Sequence, residues 1–297
     1  MKRVDLKHIP VRPRNPWAGW ERKVHWVLFA LFVINAGLVW VRLWALHVLF
    51  TGRNWPDGSL LVLAAGTTLA ALSRRLPAQN VILAAVVIGI AGGGAESLGA
   101  AAGVPFGPLV YHPENIGRLM FDLLPWSVPL IWVTVILNAR GVARLMLRRY
   151  RAKSYYGFWV MGLTVLLVVV FELSFEPYAT ALKEYWSWKP TRIHSDWYTT
   201  PWSNFLGWAV VAGLILLFVT PALINKSPIK YPPSYEPLIV WEVIGILLLT
   251  GIVHSRLWGA VYVIAGQMIL VAVFSVFGAG TAALKKRPVG QPFEAAG

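Results

Sequence analysis

The stretch Phe158–Pro177 reads FWVMGLTVLLVVVFELSFEP. Its first 14 residues, Phe158–Phe171, carry no charge, and two glutamates follow, Glu172 and Glu176. A helix needs about 20 mostly apolar residues to cross the hydrocarbon core of a bilayer. This stretch meets that length. Comparable runs occur at Val24–Phe50, Val81–Gly103, Phe205–Ile224 and Trp258–Ala283. The chain has 297 residues, of which 57% are hydrophobic and only 13% charged. A soluble domain is about 25% charged, so a water-soluble globule is excluded. The chain has no cysteine. Disulfide scaffolds, cysteine–zinc sites and thiol catalysis are therefore excluded too.

Working outward from that stretch gives eight apolar spans: 24–50, 59–73, 81–103, 122–139, 157–177, 205–224, 237–255 and 258–283. The second is the shortest. The predicted fold is all-α, a polytopic transmembrane helical bundle. The apolar core of the first span is too long for a cleavable signal peptide. Three parts are expected: a basic N-terminal segment 1–23, a single transmembrane helical domain 24–284 and a tail 285–297.

The net charge of +14 comes from 27 Lys and Arg against 13 Asp and Glu. Twenty of the basic residues fall in segments 1–23, 74–80, 140–156, 225–236 and the tail; six fall in the alternate loops; Arg42 lies inside the first span. A bias that alternates with every crossing is the positive-inside pattern. It predicts both termini in the cytoplasm. The expected location is a cell membrane, multi-pass, a bacterial or archaeal plasma membrane. Snorkelling anchors explain single residues but not the alternation. The excess is spread too thinly for a nucleic-acid partner; the lipid bilayer is the expected surroundings.

An ionisable side chain within a span is costly and usually serves a function. The candidates are Arg42, Glu96, Asp122, Glu172, Glu176 and Glu242. With the predicted orientation, all but Glu242 fall in the outer half of the bundle. Glu172 and Glu176 are i,i+4 neighbours, with Cβ atoms about 5–6 Å apart on one helix face. Two carboxyls that close in low dielectric are not both ionised. An acid beside a base is what general acid–base chemistry requires. Glu96 lies among glycines; Gly92, Glu96, Gly99 and Gly103 share a stripe that lets a helix or a flat ligand approach its carboxyl. Gly89/Gly93 and Gly99/Gly103 are also ordinary small-residue packing pairs, but packing does not call for the charge. Arg42 is a candidate counter-ion. The six histidines are scattered and suggest no metal site, and no glycine loop opens a helix as a phosphate cradle. No cofactor is expected.

Five tryptophans, Trp186, Trp188, Trp197, Trp202 and Trp208, lie within 23 residues beside the outer carboxyls. Interfacial belts account for many membrane tryptophans, but this cluster suits a long apolar or polyene substrate. Indole faces also stabilise a developing cation, by roughly 0.5–2 kcal/mol each.

Several motifs together resemble the integral-membrane carotenoid hydratase family, which includes bisanhydrobacterioruberin and γ-carotene 1',2'-hydratases. They are Glu96-Ser97-Leu98-Gly99, Gly103-Val104-Pro105-Phe106-Gly107 with Tyr111, Phe175-Glu176-Pro177, Trp186-Ser187-Trp188, and the block from Trp197 to Trp208 with Tyr198, Pro201, Asn204 and Gly207. The resemblance covers about residues 80–210. Pro108-Leu109-Val110 replaces an aromatic-containing stretch of the family pattern, and Glu176-Pro177 stands where the pattern has Asp-Pro. The resemblance implies hydration of the terminal C=C of an acyclic carotenoid of lycopene, γ-carotene or bacterioruberin type, without a cofactor. On that basis Glu96 and Glu176 are expected as acid and base, in either order, with Glu172 in support. Phe106, Tyr111, Trp186, Trp188, Tyr198, Asn204 and Trp208, with Asp122 and Arg42 from the outer polar cluster, are expected around the substrate. Other carotenoid enzymes are candidate partners. A proton-coupled transporter and a non-catalytic carotenoid-binding protein are the competing readings.

Overall fold

The computed structural model describes residues 18–44, 55–190, 196–224 and 232–280. The expected tail 285–297 and most of the segment 1–23 lie outside the described residues, as does the end of the first predicted span.

Among the described residues there are eight long helices: α1 (Ala18–Trp44), α2 (Trp55–Ser73), α3 (Ala78–Ala102), α5 (Val128–Met146), α6 (Tyr156–Pro177), α7 (Trp202–Val219), α8 (Glu236–His254) and α9 (Trp258–Gly280). A single-turn helix, α4 (Pro113–Ile116), lies in the α3–α5 connection. The architecture is an all-α polytopic bundle. Seven helices are long and apolar enough to cross a membrane, and the apolar part of α2 is shorter. This is a multi-pass membrane protein.

α5 is the axis of the bundle. It packs against α2, α3, α6, α8 and α9, and Trp132, Ile136, Ala139, Val142 and Ala143 along it are fully buried. The outer helices keep large apolar side chains exposed, such as Ile90 on α3, Phe218 on α7 and Ile269 on α9. Apolar exposure on this scale marks a lipid-facing surface.

Contacts between helix ends fix their relative directions. The end of α9 meets the end of α5, where Gly278 lies against the carbonyls of Leu145 and Met146. Arg74, after α2, and His25, near the start of α1, both reach Glu236 at the start of α8. At the opposite end, Lys183, after α6, pairs with Asp57 at the start of α2 (2.7 Å). Tyr185 donates to the same Asp57 oxygen (2.9 Å). Burial, with Asp57 beside it, pushes the Tyr185 phenol well above its usual value, so it remains a donor. The bundle thus has two distinct ends. The α2–α3 and α5–α6 connections form the basic end. The α3–α5 and α6–α7 connections form the carboxylate end.

Two expectations need correction. The fourth span runs from Val128 to Met146, not 122–139. Residues 119–125 instead form a small hairpin of β2 (Leu119–Met120) and β3 (Leu124–Pro125). Phe121 and Asp122 turn it with φ of 53° and 55°, a left-handed conformation that a helix start does not allow. The helix then continues through Arg140 and Arg144, which the sequence reading assigned to a loop. Arg140 is tolerated inside because its Nη2 donates to the Leu223 carbonyl (3.2 Å).

Three further strands close the carboxylate end together with β1 (Leu109–Tyr111). β4 (Trp186–Trp188) pairs antiparallel with β1, and β5 (Asp196–Trp197) pairs with β6 (Thr200–Pro201). Trp197 Nε1 donates to the Leu173 carbonyl (2.8 Å), tying the second ribbon to α6.

Candidate active site

Period-two alternation along the β1–β4 ribbon sends Leu109, Tyr111, Trp186 and Trp188 inward. All four line one small cavity with Glu96, Trp132, Glu172, Glu176, Asn204 and Trp208. Between them, Val110 and Ser187 are exposed. The i,i+2 spacing of Trp186-Ser187-Trp188 therefore puts both indoles over α6.

Glu172 and Glu176 are each 1% exposed. Trp188 Nε1 and Thr200 Oγ1 both donate to Glu176 Oε2 at 2.9 Å, and Trp186 Nε1 donates to it at 3.3 Å. The Asn204 amide nitrogen donates to Glu172 Oε1 (3.1 Å) and to Glu176 Oε1 (3.2 Å). An amide has two N–H groups, so a single asparagine serves both carboxyls. Every donor on Glu176 is neutral, and no Lys or Arg lines this cavity among the described residues.

Glu96 reaches the same cavity from α3 and is 6% exposed. Its helix comes close because Gly92, one turn earlier, lies flush on Trp132; a Cβ there would overlap the indole. The close approach expected of the glycine stripe is thus made by the protein's own rings. Trp132 and Trp208 stack in parallel (3.9 Å between centroids, 9° between planes). Tyr111 stands beside Glu96. Burial, with Glu96 and Glu176 nearby, pushes its phenol well above the usual value, so it stays a neutral O–H.

The cavity measures about 20 Å3, room for one water, which needs roughly 10–15 Å3. Two buried polar atoms of its lining residues make no hydrogen bond of ordinary geometry, Trp132 Nε1, which faces Glu96, and Glu172 Oε2, whose carboxyl faces Glu176. One is a donor; the other is a carboxyl oxygen able to accept, or to carry a proton. Next to it lies a larger, mostly apolar cavity of about 550 Å3 between α2, α5, α6 and α8. Ile131 and Phe175 line both.

Among the sequence-predicted residues, Glu96, Glu172, Glu176, Tyr111, Trp186, Trp188, Asn204 and Trp208 come together here. Phe106 does not line the cavity. It is fully buried behind the stacked indoles, 6.3 Å from Trp132 and 6.5 Å from Trp208, against Gly99 and Gly207. Tyr198 is elsewhere, its hydroxyl accepting from the Gly259 N–H at the start of α9 (2.9 Å). Asp122 is exposed in the β2–β3 turn. Arg42 does not line the cavity; its charge acts on the phenols of Tyr178 and Tyr185. Glu242 lines neither cavity. Sequence reasoning missed Trp132 and Thr200. A tryptophan deep within a span, away from either interface, was the available signal for the first; for the second there was none.

The family model for carotenoid biosynthesis proteins matches residues 57–280, which takes in every residue of this cavity. This chain belongs to the carotenoid biosynthesis protein family. Its role accordingly lies in carotenoid biosynthesis. No curated protein and no solved structure matches the chain. Within the family assignment, the three glutamates, the stacked indoles and the adjoining apolar cavity of this carotenoid biosynthesis protein mark its candidate centre.

Proposed function

We propose that this protein is a membrane hydratase that adds water across the terminal C=C of an acyclic carotenoid end group. The observation that carries the reading is the Glu172–Glu176 pair, two buried carboxyls on one asparagine amide with only neutral donors around them. Two such groups hold one proton between them. Glu176, with four donors, is the ionised partner. Glu172, whose Oε2 makes no hydrogen bond of ordinary geometry, carries the proton and faces the cavity.

In the forward step the Glu172 O–H protonates the less substituted alkene carbon and leaves a tertiary cation on the other. The indoles that line the cavity, Trp186 and Trp188 among them, stabilise that cation. A water held by Trp132 Nε1 adds its oxygen, and its released proton goes to Glu96, which Tyr111 orients. Proton transfer from Glu96 back to Glu172 resets the site. The product is a tertiary alcohol, and nothing is oxidised or reduced. The larger cavity is of the size that holds an apolar ligand and accommodates the rest of the end group.

The charge distribution supports the same orientation as before, with both termini cytoplasmic and the carboxylate end on the outer side. Expression in a host that supplies lycopene or γ-carotene, followed by pigment mass spectrometry, tests the activity: the expected product gains one water. Recovery of unaltered pigment bound to the protein would replace the enzyme by a carotenoid-binding protein.

A further inference from the structure

The basic end holds a second polar cavity, of about 270 Å3, between α2, α5 and α8. Arg75, Arg140, Arg144, Arg148 and Arg151 line it, and the only carboxylate in its lining among the described residues is Glu236. That carboxylate is already engaged: Arg74 Nη1 donates to its Oε1 at 2.9 Å, and Ser234 donates to its other oxygen. Arg75 and Arg140 donate to the neutral carbonyls of Pro232 and Leu223. Among the described residues, no ion pair joins Arg140, Arg144, Arg148 or Arg151 to a carboxylate.

Arg140 is only 7% exposed, and its Nε is buried without a partner, as is Nε of Arg148. Burial and the neighbouring Arg151 pull the Arg148 guanidinium down from the usual arginine value, and Arg75 adds to this. Arg144, Arg149 and Arg151 are all exposed, but Arg149 lies over the Tyr150 ring (4.5 Å) and outside the cavity lining, where interfacial anchoring explains it. Anchoring does not explain a buried arginine with an unused donor at the wall of a cavity.

We propose that this cavity binds a phosphoryl anion. Guanidinium forks match phosphate oxygens in geometry and charge, and basic pockets between transmembrane helices take phosphorylated lipid headgroups. The same chemistry fits an anionic phospholipid headgroup or a soluble diphosphate. The inference does not rest on the hydratase reading.

The test uses the full chain purified in detergent and stripped of lipid. Inorganic pyrophosphate is titrated calorimetrically at fixed ionic strength. In parallel, the protein is incubated with vesicles of phosphatidylglycerol or phosphatidylcholine, and retained lipid is counted by native mass spectrometry. Saturable binding of one pyrophosphate identifies a soluble ligand, and selective retention of one phosphatidylglycerol identifies a lipid. Either supports the site. The triple variant Arg144→Gln, Arg148→Gln, Arg151→Gln should bind at least about tenfold more weakly, the scale of losing one hydrogen bond to a charged group. Arg149→Gln should bind as the wild type does. Absence of binding by both probes overturns the proposal. So does equal binding by the triple variant, or an equal loss in Arg149→Gln, which would mean diffuse surface charge.

Discussion

The two ends of the bundle hold opposite charges by different means. At the carboxylate end, three glutamates share a cavity with indole, hydroxyl and amide donors, and no cation lines it among the described residues. At the basic end, five arginines surround one occupied carboxylate. A carboxyl can discard its charge by taking a proton, so neutral donors suffice to keep it inside. A guanidinium cannot lose its proton in a protein. A cluster of them needs an anion from elsewhere. On the two proposals made above, the first end exchanges protons and the second holds a charge.

The sharpest way to break this comparison is to change a carboxyl without changing its shape. Glu172→Gln and Glu96→Gln should each lower product formation by about 10²–10⁴-fold, the range for a lost acid or base. Pigment mass spectrometry after expression reads the loss. Near-wild-type activity in either variant would end the idea of a working pair. Gly92→Ala puts a methyl group onto Trp132 and should cost about 1–3 kcal/mol by overpacking, seen as a lower unfolding temperature in detergent. Trp188→Phe keeps a ring but removes one donor from Glu176; an activity loss of about tenfold is expected from one charge-assisted hydrogen bond. Asp122→Asn, in an exposed turn, should leave conversion within about twofold, as surface changes usually do. A large loss there would bring the β2–β3 hairpin into the site.

The helices were legible because apolar runs of membrane length leave few alternatives. The glutamates were legible because charge inside such runs is costly. The i,i+4 spacing of Glu172 and Glu176 already placed them on one face, and the alternation of Trp186 and Trp188 is visible once a strand is assumed. What the sequence hid was non-local. That Trp132 on α5 lies flat on Gly92 of α3 depends on how two helices cross. That Tyr198 serves α9 depends on the β5–β6 turn. Asp122 resembled a helix start because the residues after it are apolar, whereas two positive-φ residues make it a hairpin tip. Arg140 resembled a loop residue because its solvation comes from a carbonyl more than eighty positions away, that of Leu223.

Ile131 and Phe175 belong to both cavities of the carboxylate end, one of about 550 Å3 and one of about 20 Å3. These two side chains form the partition, and with space for little more than a water beyond it, a reacting tip on the hydratase reading has to displace Ile131 or Phe175 to reach the carboxyls. A slender branched tip asks for less displacement there than a ring. On the hydratase reading, the protein distinguishes its substrates by how they end.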